Sequence, residues 1–441
     1  MASNLSHTMI GRGASYRMKM TRQERSNKGS RWEILWVSLK LGLTSFGGPI
    51  AHLGYFHDEY VKRRKWLDES RYADLVALCQ FLPGPASSQV GIGIGIMRGG
   101  ILGGLIAWMG FTLPSVVGLL LFATMFISGA IADAGWVHGL KLVAVAIVAQ
   151  AVLGMGQKLA ADRTRATIAV ATATLVLLVP SAVMQLGAIV AAGVVGVVIY
   201  RQKKPQPTGI PSMSGAVDAS PVSEATDISS VSRTMDEPPL SKRAGVIGLS
   251  LFFTCLVLLP IMSRVTGGYI LAIADGFYRA GALVFGGGHV VLPLLEQVVG
   301  PSGWVNEQQF LAGYGATQAV PGPLFTFASY LGAVSGGVWV GLFATVAIFL
   351  PAFLLVVGAL PFWHMIRVNQ NMQGVLKAIN AAVVGLLVAA LYSPVWTSAV
   401  KVVGDFGIVA ILFMLLVFWK LPPWIIVLIG VLGGSLLGLF I

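Results

Sequence analysis

The run best suited to chemistry is Gln80-Phe81-Leu82-Pro83-Gly84-Pro85, followed at once by Ser87, Ser88 and Gln89. Proline lacks an N–H and has a fixed φ, so it ends one helix and is well placed to open the next. A helix that restarts there presents unpaired backbone N–H groups and its positive dipole end, a ready seat for an oxyanion. The hydroxyls of Ser87 and Ser88 would add donors at the same end. The run recurs as Gln318-Ala319-Val320-Pro321-Gly322-Pro323, with Thr326 in the corresponding turn. A second pair of breaks, Ser45-Phe46-Gly47-Gly48-Pro49 and Phe285-Gly286-Gly287-Gly288-His289, would let backbone approach a ligand without side-chain obstruction. Ser45, Gly47, Gly48, Gly84, Pro85, Ser87, Ser88, Gly286, Gly287, His289, Gly322, Pro323 and Thr326 are therefore the candidate substrate-binding residues.

Charged side chains extend the set. Lys40 and Arg279 stand at matching positions, six residues before Phe46 and Phe285, in otherwise apolar segments. An isolated cation in such surroundings needs a cavity, a partner or a substrate, and a tetrahedral dianion would serve. A structural ion pair competes with that reading, since Asp275 lies one turn before Arg279, and so does snorkelling. Both cations join the substrate-binding set. Glu69, Asp74, Glu307 and His52 are the candidates for proton coupling. For Glu69 and Glu307 helix capping is the simpler account, because Asp68 and Asn306 precede them at the start of an apolar run.

Other chemistries find no residues to carry them. There is no Gly-Lys-Ser/Thr, hence no Walker A loop, and Gly91-Ile92-Gly93-Ile94-Gly95 reads as close helix packing. No HExxH, EF-hand loop or His/Cys cluster suggests a metal, so no metal and no cofactor is expected. Cys79 and Cys255 lie far apart in apolar stretches and form neither a disulfide framework nor a CxxC pair. A membrane-embedded reductase would need a redox cofactor or reactive thiols, and an enzyme is not the expected reading.

The elements that must position these residues follow from composition. Of 441 residues, 56% are hydrophobic and 11% charged, against roughly 45–50% and 25% in soluble domains. No soluble core buries that excess, so the chain is expected to be an all-α polytopic membrane protein in the lipid bilayer. The formal charge of +12 sits in loops beside apolar segments, which marks the cytoplasmic side rather than nucleic-acid binding. Residues 1–31 carry seven Lys/Arg and no apolar h-region, a basic cytoplasmic tail with no signal peptide. Residues 201–243 are rich in Pro, Ser, Thr and Asp and are read as a disordered cytoplasmic linker. The linker separates a first repeat, 32–200, from a helix at 244–264 and a second repeat, 265–441.

The two halves match in order: Phe46-Gly47-Gly48 with Phe285-Gly286-Gly287, Trp66-Leu67-Asp68-Glu69 with Trp304-Val305-Asn306-Glu307, the two Pro-Gly-Pro runs, Pro114 with Pro351, and Lys141 with Lys377. Such duplication is the usual build of secondary transporters. On these motifs, over nearly the whole chain outside the linker, the sequence resembles the CHR family of chromate ion transporters in its two-domain, long-chain form. The resemblance implies efflux of chromate across the cell (inner) membrane, giving chromate resistance. Some relatives are associated with sulfate instead, and a sulfate or mixed-oxyanion carrier would share every motif. An anion channel also fits the charge pattern, and a homodimer is compatible with the sequence.

Charge bias predicts topology independently. Lys62-Arg63-Arg64-Lys65 has no basic counterpart near Glu296–Gly303, whereas Arg367 falls opposite a loop without Lys or Arg at 128–138. The basic loops swap sides, so the repeats are expected to be inverted, and the extra helix near 245–262 supplies the odd crossing. From Trp32 to Gly47 and from Asp68 to Pro83 the chain offers 16 residues each, about 24 Å of helix against a ~30 Å hydrocarbon core. The motif segments therefore read as re-entrant or broken helices around a midplane site. The N-terminus is placed in the cytoplasm and the C-terminus outside.

Overall fold

The computed structural model describes residues 30–128, 135–200, 240–285, 288–363 and 370–440. The basic tail, most of the linker (201–239), Gly286, Gly287 and Ile441 lie outside the described residues. Every regular element among the described residues is helical. The first repeat comprises α1 (Arg31–Thr44), α2 (Gly48–Phe56, prolonged by a π turn His57–Arg63), α3 (Glu69–Phe81), the broken helix Ala86–Ile127, α6 (Gly135–Leu159), α7 (Arg163–Leu178) and α8 (Ala182–Tyr200). Ala86–Ile127 leaves helical geometry at Gly99 and Gly100, where φ reaches +64°, which divides it into α4 (86–98) and α5 (101–127). Gly95 packs against the Gly103 carbonyl and Gly104 against Ile96, so the two arms double back on each other. This is a hairpin, not a span of 42 residues.

The second repeat follows α9 (Lys242–Thr266) and retraces the first: α10 (Tyr269–Ala282), α11 (Val291–Val299), α12 (Glu307–Ala319), α13 (Phe327–Gly336), α14 (Val338–Ala359), α15 (Gln370–Ala390), α16 (Val403–Val417) and α17 (Pro423–Phe440). Its hairpin turns at Gly337, φ +87°, and Gly332 packs on the Val340 carbonyl and Ala344 as Gly95 does on Gly103 and Ala107. Caps also repeat. Asp68 accepts the Arg71 N–H at 2.8 Å, and Asn306 accepts the Gln309 N–H at 2.8 Å while the Gln309 side chain returns to the Asn306 N–H. These are the orphan donors that every helix start must satisfy.

The equivalent crossing helices α5 and α14 are antiparallel. Gly341, near the start of α14, packs on Leu120 toward the end of α5, whereas Phe349 further along meets Trp108 nearer the start of α5, ring centres 5.8 Å apart. Two copies that face each other with opposite direction are related by a two-fold axis across the helices, so the repeats are inverted. Reciprocal glycine contacts lock the outer helices in the same way. Gly139 of α6 packs on Gly430 and Gly434 of α17, while Gly196 of α8 packs on Gly374 of α15. In lipid there is no hydrophobic drive between helices, so close backbone approach at small residues supplies the association.

The membrane-facing surface is apolar. Leu105, Met109, Leu113, Val117 and Leu121 of α5 and Val246, Phe253, Val257 and Ile261 of α9 are all exposed. Among the described residues five segments are long and apolar enough to cross a membrane: Ala86–Ile127, whose α5 arm is itself long enough, Gly135–Leu159, Lys242–Thr266, Val338–Phe362 and Gly374–Ala399. By contrast α1 and α10 have 14 residues each, about 21 Å, and end inside the protein.

Candidate functional site: four helix breaks at one point

The four Gly/Pro breaks meet, and they do so crosswise. The Gly84 N–H donates to the Val284 carbonyl at 2.7 Å, and the Gly322 N–H donates to the Ser45 carbonyl at 2.9 Å. Gly84 and Gly322 are equivalent, as are Ser45 and Val284, so each repeat's Pro-Gly-Pro tip is held by the other repeat's Phe-Gly-Gly break. Gly84 and Gly322 have φ of +119° and +110°, where a side chain would be strained. Gly84 packs on Gln89 and Ala352, and Gly322 packs on Ser115 and the Phe111 carbonyl. Pro49 and Gly288, themselves equivalent, pack on each other, with Leu324 beside them. The pseudo-two-fold axis therefore passes through the meeting point.

The two tips differ in chemistry. In the first repeat α4 begins after Pro85 with Ser87, Ser88 and Gln89, all buried. In the second the matching positions are Phe325, Thr326 and Phe327, wound first as a single 3-10 turn, and the Thr326 hydroxyl already donates to the Pro323 carbonyl at 2.7 Å. His52, buried on α2, sits 3.3 Å from the Ser87 Oγ through its Nδ1, its ring edge-on to Phe111. The Gln89 Nε2 donates to the Pro83 carbonyl at 2.7 Å. Ser88 Oγ and Gln89 Oε1 at this tip, His52 Nε2 beside Ser87, Ser45 Oγ next to the Gly322 tip and Thr112 Oγ1 on α5 are buried without a protein partner. Buried polar atoms are nearly always paired, and each orphan costs free energy. Several orphans on segments packed around the two tips mark a place where something else completes the bonding.

The other candidate residues lie further out. Lys40 donates to Glu59 at 2.9 Å and is half-exposed. Glu59 also receives Arg63 at 3.2 Å and Arg64 at 2.7 Å, and Arg64 continues to Glu33 at 2.9 Å. Arg98, at the hairpin turn, lies 4.7 Å over the Trp66 ring. At Glu59 burial would push the carboxyl up, but the hydrogen bonds from Arg64 and Lys40 outweigh it and hold it at about 2. Lys40 is thus the basic end of an ion-pair network at the end of the first hairpin. Arg279 grips Asp275 with Nε and Nη2, both at 2.6 Å. His289 Nδ1 meets the Tyr314 hydroxyl at 2.8 Å in the second repeat. Glu69 pairs with His57 at 2.7 Å, and Glu307 accepts from the Ser398 hydroxyl, both at exposed helix starts. Asp74 sits part-way along α3. Gly47 and Gly48 open α2 with φ of +95° and +81°.

Several contributors lie beyond the sequence reading. Gln89 was noted beside the serines but not placed in the set, although its mismatch with Phe327 was visible in the aligned repeats. Thr112 and Ser115 flank Pro114 in α5, and only the fold brings Ser115 and the Phe111 carbonyl, next to Thr112, to Gly322. His138 Nε2 bonds the buried Asp405 at 2.6 Å across the two repeats, a contact with no local signature. Among the described residues no group of His, Cys, Asp or Glu could hold a metal ion.

A family model described as chromate transporter matches the chain twice, over residues 32–197 and 271–435, one copy to each repeat. The chain is 25% identical over 422 residues to the uncharacterized transporter MJ0718 of Methanocaldococcus jannaschii, covering 94% of this chain and 92% of that one. It is 27% identical over 357 residues to a chromate transport protein of Pseudomonas aeruginosa, covering 79% and 77%. It is 25% identical over 413 residues to a chromate transport protein of Cupriavidus metallidurans, covering 92% of both. No solved structure matches. Two copies of the family unit, meeting through the breaks that each unit carries, account for nearly all of the described residues: the chain belongs to the chromate transporter family.

Proposed function

We propose that the protein is a secondary transporter that carries chromate out of the cytoplasm through a midplane site at the first-repeat tip. One observation carries the reading. Ser88 and Gln89 present buried, unpartnered polar atoms in the first turn of α4, and Ser45, His52 and Thr112 do so on the segments packed around the two tips. Hydroxyls and backbone N–H groups fixed in a dry interior replace the water that a dianion sheds, with no reorganisation at the moment of binding. The first-repeat tip is held by the Val284 carbonyl of the second repeat, so a relative movement of the repeats could expose it to either side in turn. His52 is the titratable group of this cluster and the proposed proton carrier. Glu69 and Glu307 stand at the far ends of their helices from the tips. Lys40 is assigned to the ion-pair network and Arg279 to an outer cavity considered below.

Energy need not come from ATP. A dianion leaving a negative interior gains about 4.6 kcal/mol per 100 mV, enough for a gradient of about a thousandfold. The test is chromate flux in proteoliposomes under separately imposed voltage and pH gradients, with sulfate as competitor. Flux is expected to follow voltage, and Ser88→Ala to weaken chromate by about tenfold, the lower end for a hydrogen bond to a charged group. Flux indifferent to voltage would sink the electrogenic reading. Unchanged affinity in Ser88→Ala would remove the tip as the site.

A further inference from the structure

A cavity of about 400 Å³ opens beside the second repeat, lined among others by Gln185, Asp275, Arg279, Leu283, Ser302 and Trp304. It runs from the surface at Ser302 to Leu283, the residue before Val284, whose carbonyl holds the Gly84 tip. Leu283 in the cavity wall is thus joined directly to the residue that holds the Gly84 tip. Gln185, which comes from α8 of the other repeat, is buried and its Oε1 has no partner.

Arg279 is not saturated. Asp275 takes the Nε and one Nη2 hydrogen, so of the five guanidinium N–H donors three are left. The Gln185 amide lines the same space and its NH2 carries two further donors. The donors suit a tetrahedral oxyanion, yet the Asp275 carboxylate cancels the charge that would hold it. That combination suits release. A conducting path needs sites that attract an ion enough to admit it and too weakly to keep it.

We infer that this cavity is a second, low-affinity oxyanion site on the outer path, in which Arg279 and Gln185 hold the departing ion and Asp275 sets the hold weak. The inference rests on the transport reading for the identity of the ion and the direction in which it leaves. A lipid phosphate has the same chemistry, and the test separates the two.

Ser302→Cys, in full-length protein with Cys255 replaced by serine, reports the cavity through its rate of reaction with a soluble maleimide. Chromate is expected to slow that reaction. Arg279→Gln should raise the half-protecting concentration by about tenfold, and Asp275→Asn should lower it severalfold. A merely structural pair would move both variants in the same direction, and that result overturns the proposal. So does labelling indifferent to chromate, or a phospholipid that co-purifies with the wild type, is lost from Arg279→Gln and is not displaced by chromate. Adding Ser88→Ala leaves protection at position 302 unchanged, so failure of the midplane site and failure of this one are read separately.

Discussion

At the scale of single residues, equivalent positions have been given different tasks. Lys40 and Arg279 occupy one place in the repeat, but each answers to a different acid. Asp275 stands one turn from Arg279, whereas the partner of Lys40 is Glu59, 19 residues away on the next helix. Glu59 binds three basic side chains outside the membrane-spanning helices, and its carboxyl is held near 2 instead of 4.5. A depressed carboxyl contributes stability that is full above the unfolded value and is lost as pH falls toward the folded one. Thermal melting in detergent should therefore be insensitive to Glu59 between pH 7 and about 5 and decline through it between about pH 4.5 and 2. Glu59→Gln should melt lower at pH 7 and lose less on acidification. If the variant and wild type fall in parallel down to pH 2, the network carries no such linkage.

At the scale of elements, the helix crossings are set by glycine, and the two repeats make the same crossings. Gly42 of α1 abuts the Phe111 carbonyl of α5, and Gly281 of α10 abuts the Ile348 carbonyl of α14. Gly54 and Gly154 meet nothing. Alanine at either crossing has only backbone to push against, so Gly42→Ala and Gly281→Ala should each cost about 1–3 kcal/mol, the range for overpacking. Gly54→Ala should cost nothing measurable, and equal losses at all three positions in detergent melts would refute glycine-set crossings. These elements were legible because Gly and Pro act locally: the breaks at Gly47, Gly84 and Gly322 could be read from the chain alone, and so could the short motif helices. What could not be read is which break meets which. The Gly84 to Val284 and Gly322 to Ser45 bonds join residues 200 and more apart, and no local pattern encodes them. The site was half legible for the same reason. Ser87 and Ser88 stand in the first turn of α4, but His52, Thr112 and Ser115 reach the breaks only through the packing of α2 and α5.

At the scale of the whole molecule, inversion has a consequence that sidedness can test. The equivalent helices α5 and α14 run in opposite directions, the contact of α6 on α17 is reciprocated by that of α8 on α15, and α9 intervenes between the repeats. Equivalent positions must then lie on opposite faces of the membrane. Ser70 and Gln308 are such a pair, each exposed in the first turn of α3 and α12. The positive-inside rule puts Ser70, beside Lys62-Arg63-Arg64-Lys65, on the cytoplasmic face. Ser70→Cys should react with an impermeant maleimide only in inside-out vesicles, and Gln308→Cys only in intact cells. Cys79 is buried and Cys255 half-buried, so replacing Cys255 with serine leaves a quiet background. Reaction of both cysteines from one face would put the two-fold axis along the membrane normal and undo the alternating path. Reaction from opposite faces but with Gln308→Cys cytoplasmic would keep the inversion and reverse the direction in which the outer cavity opens. The cavity beside Arg279 would then be an entrance rather than an exit.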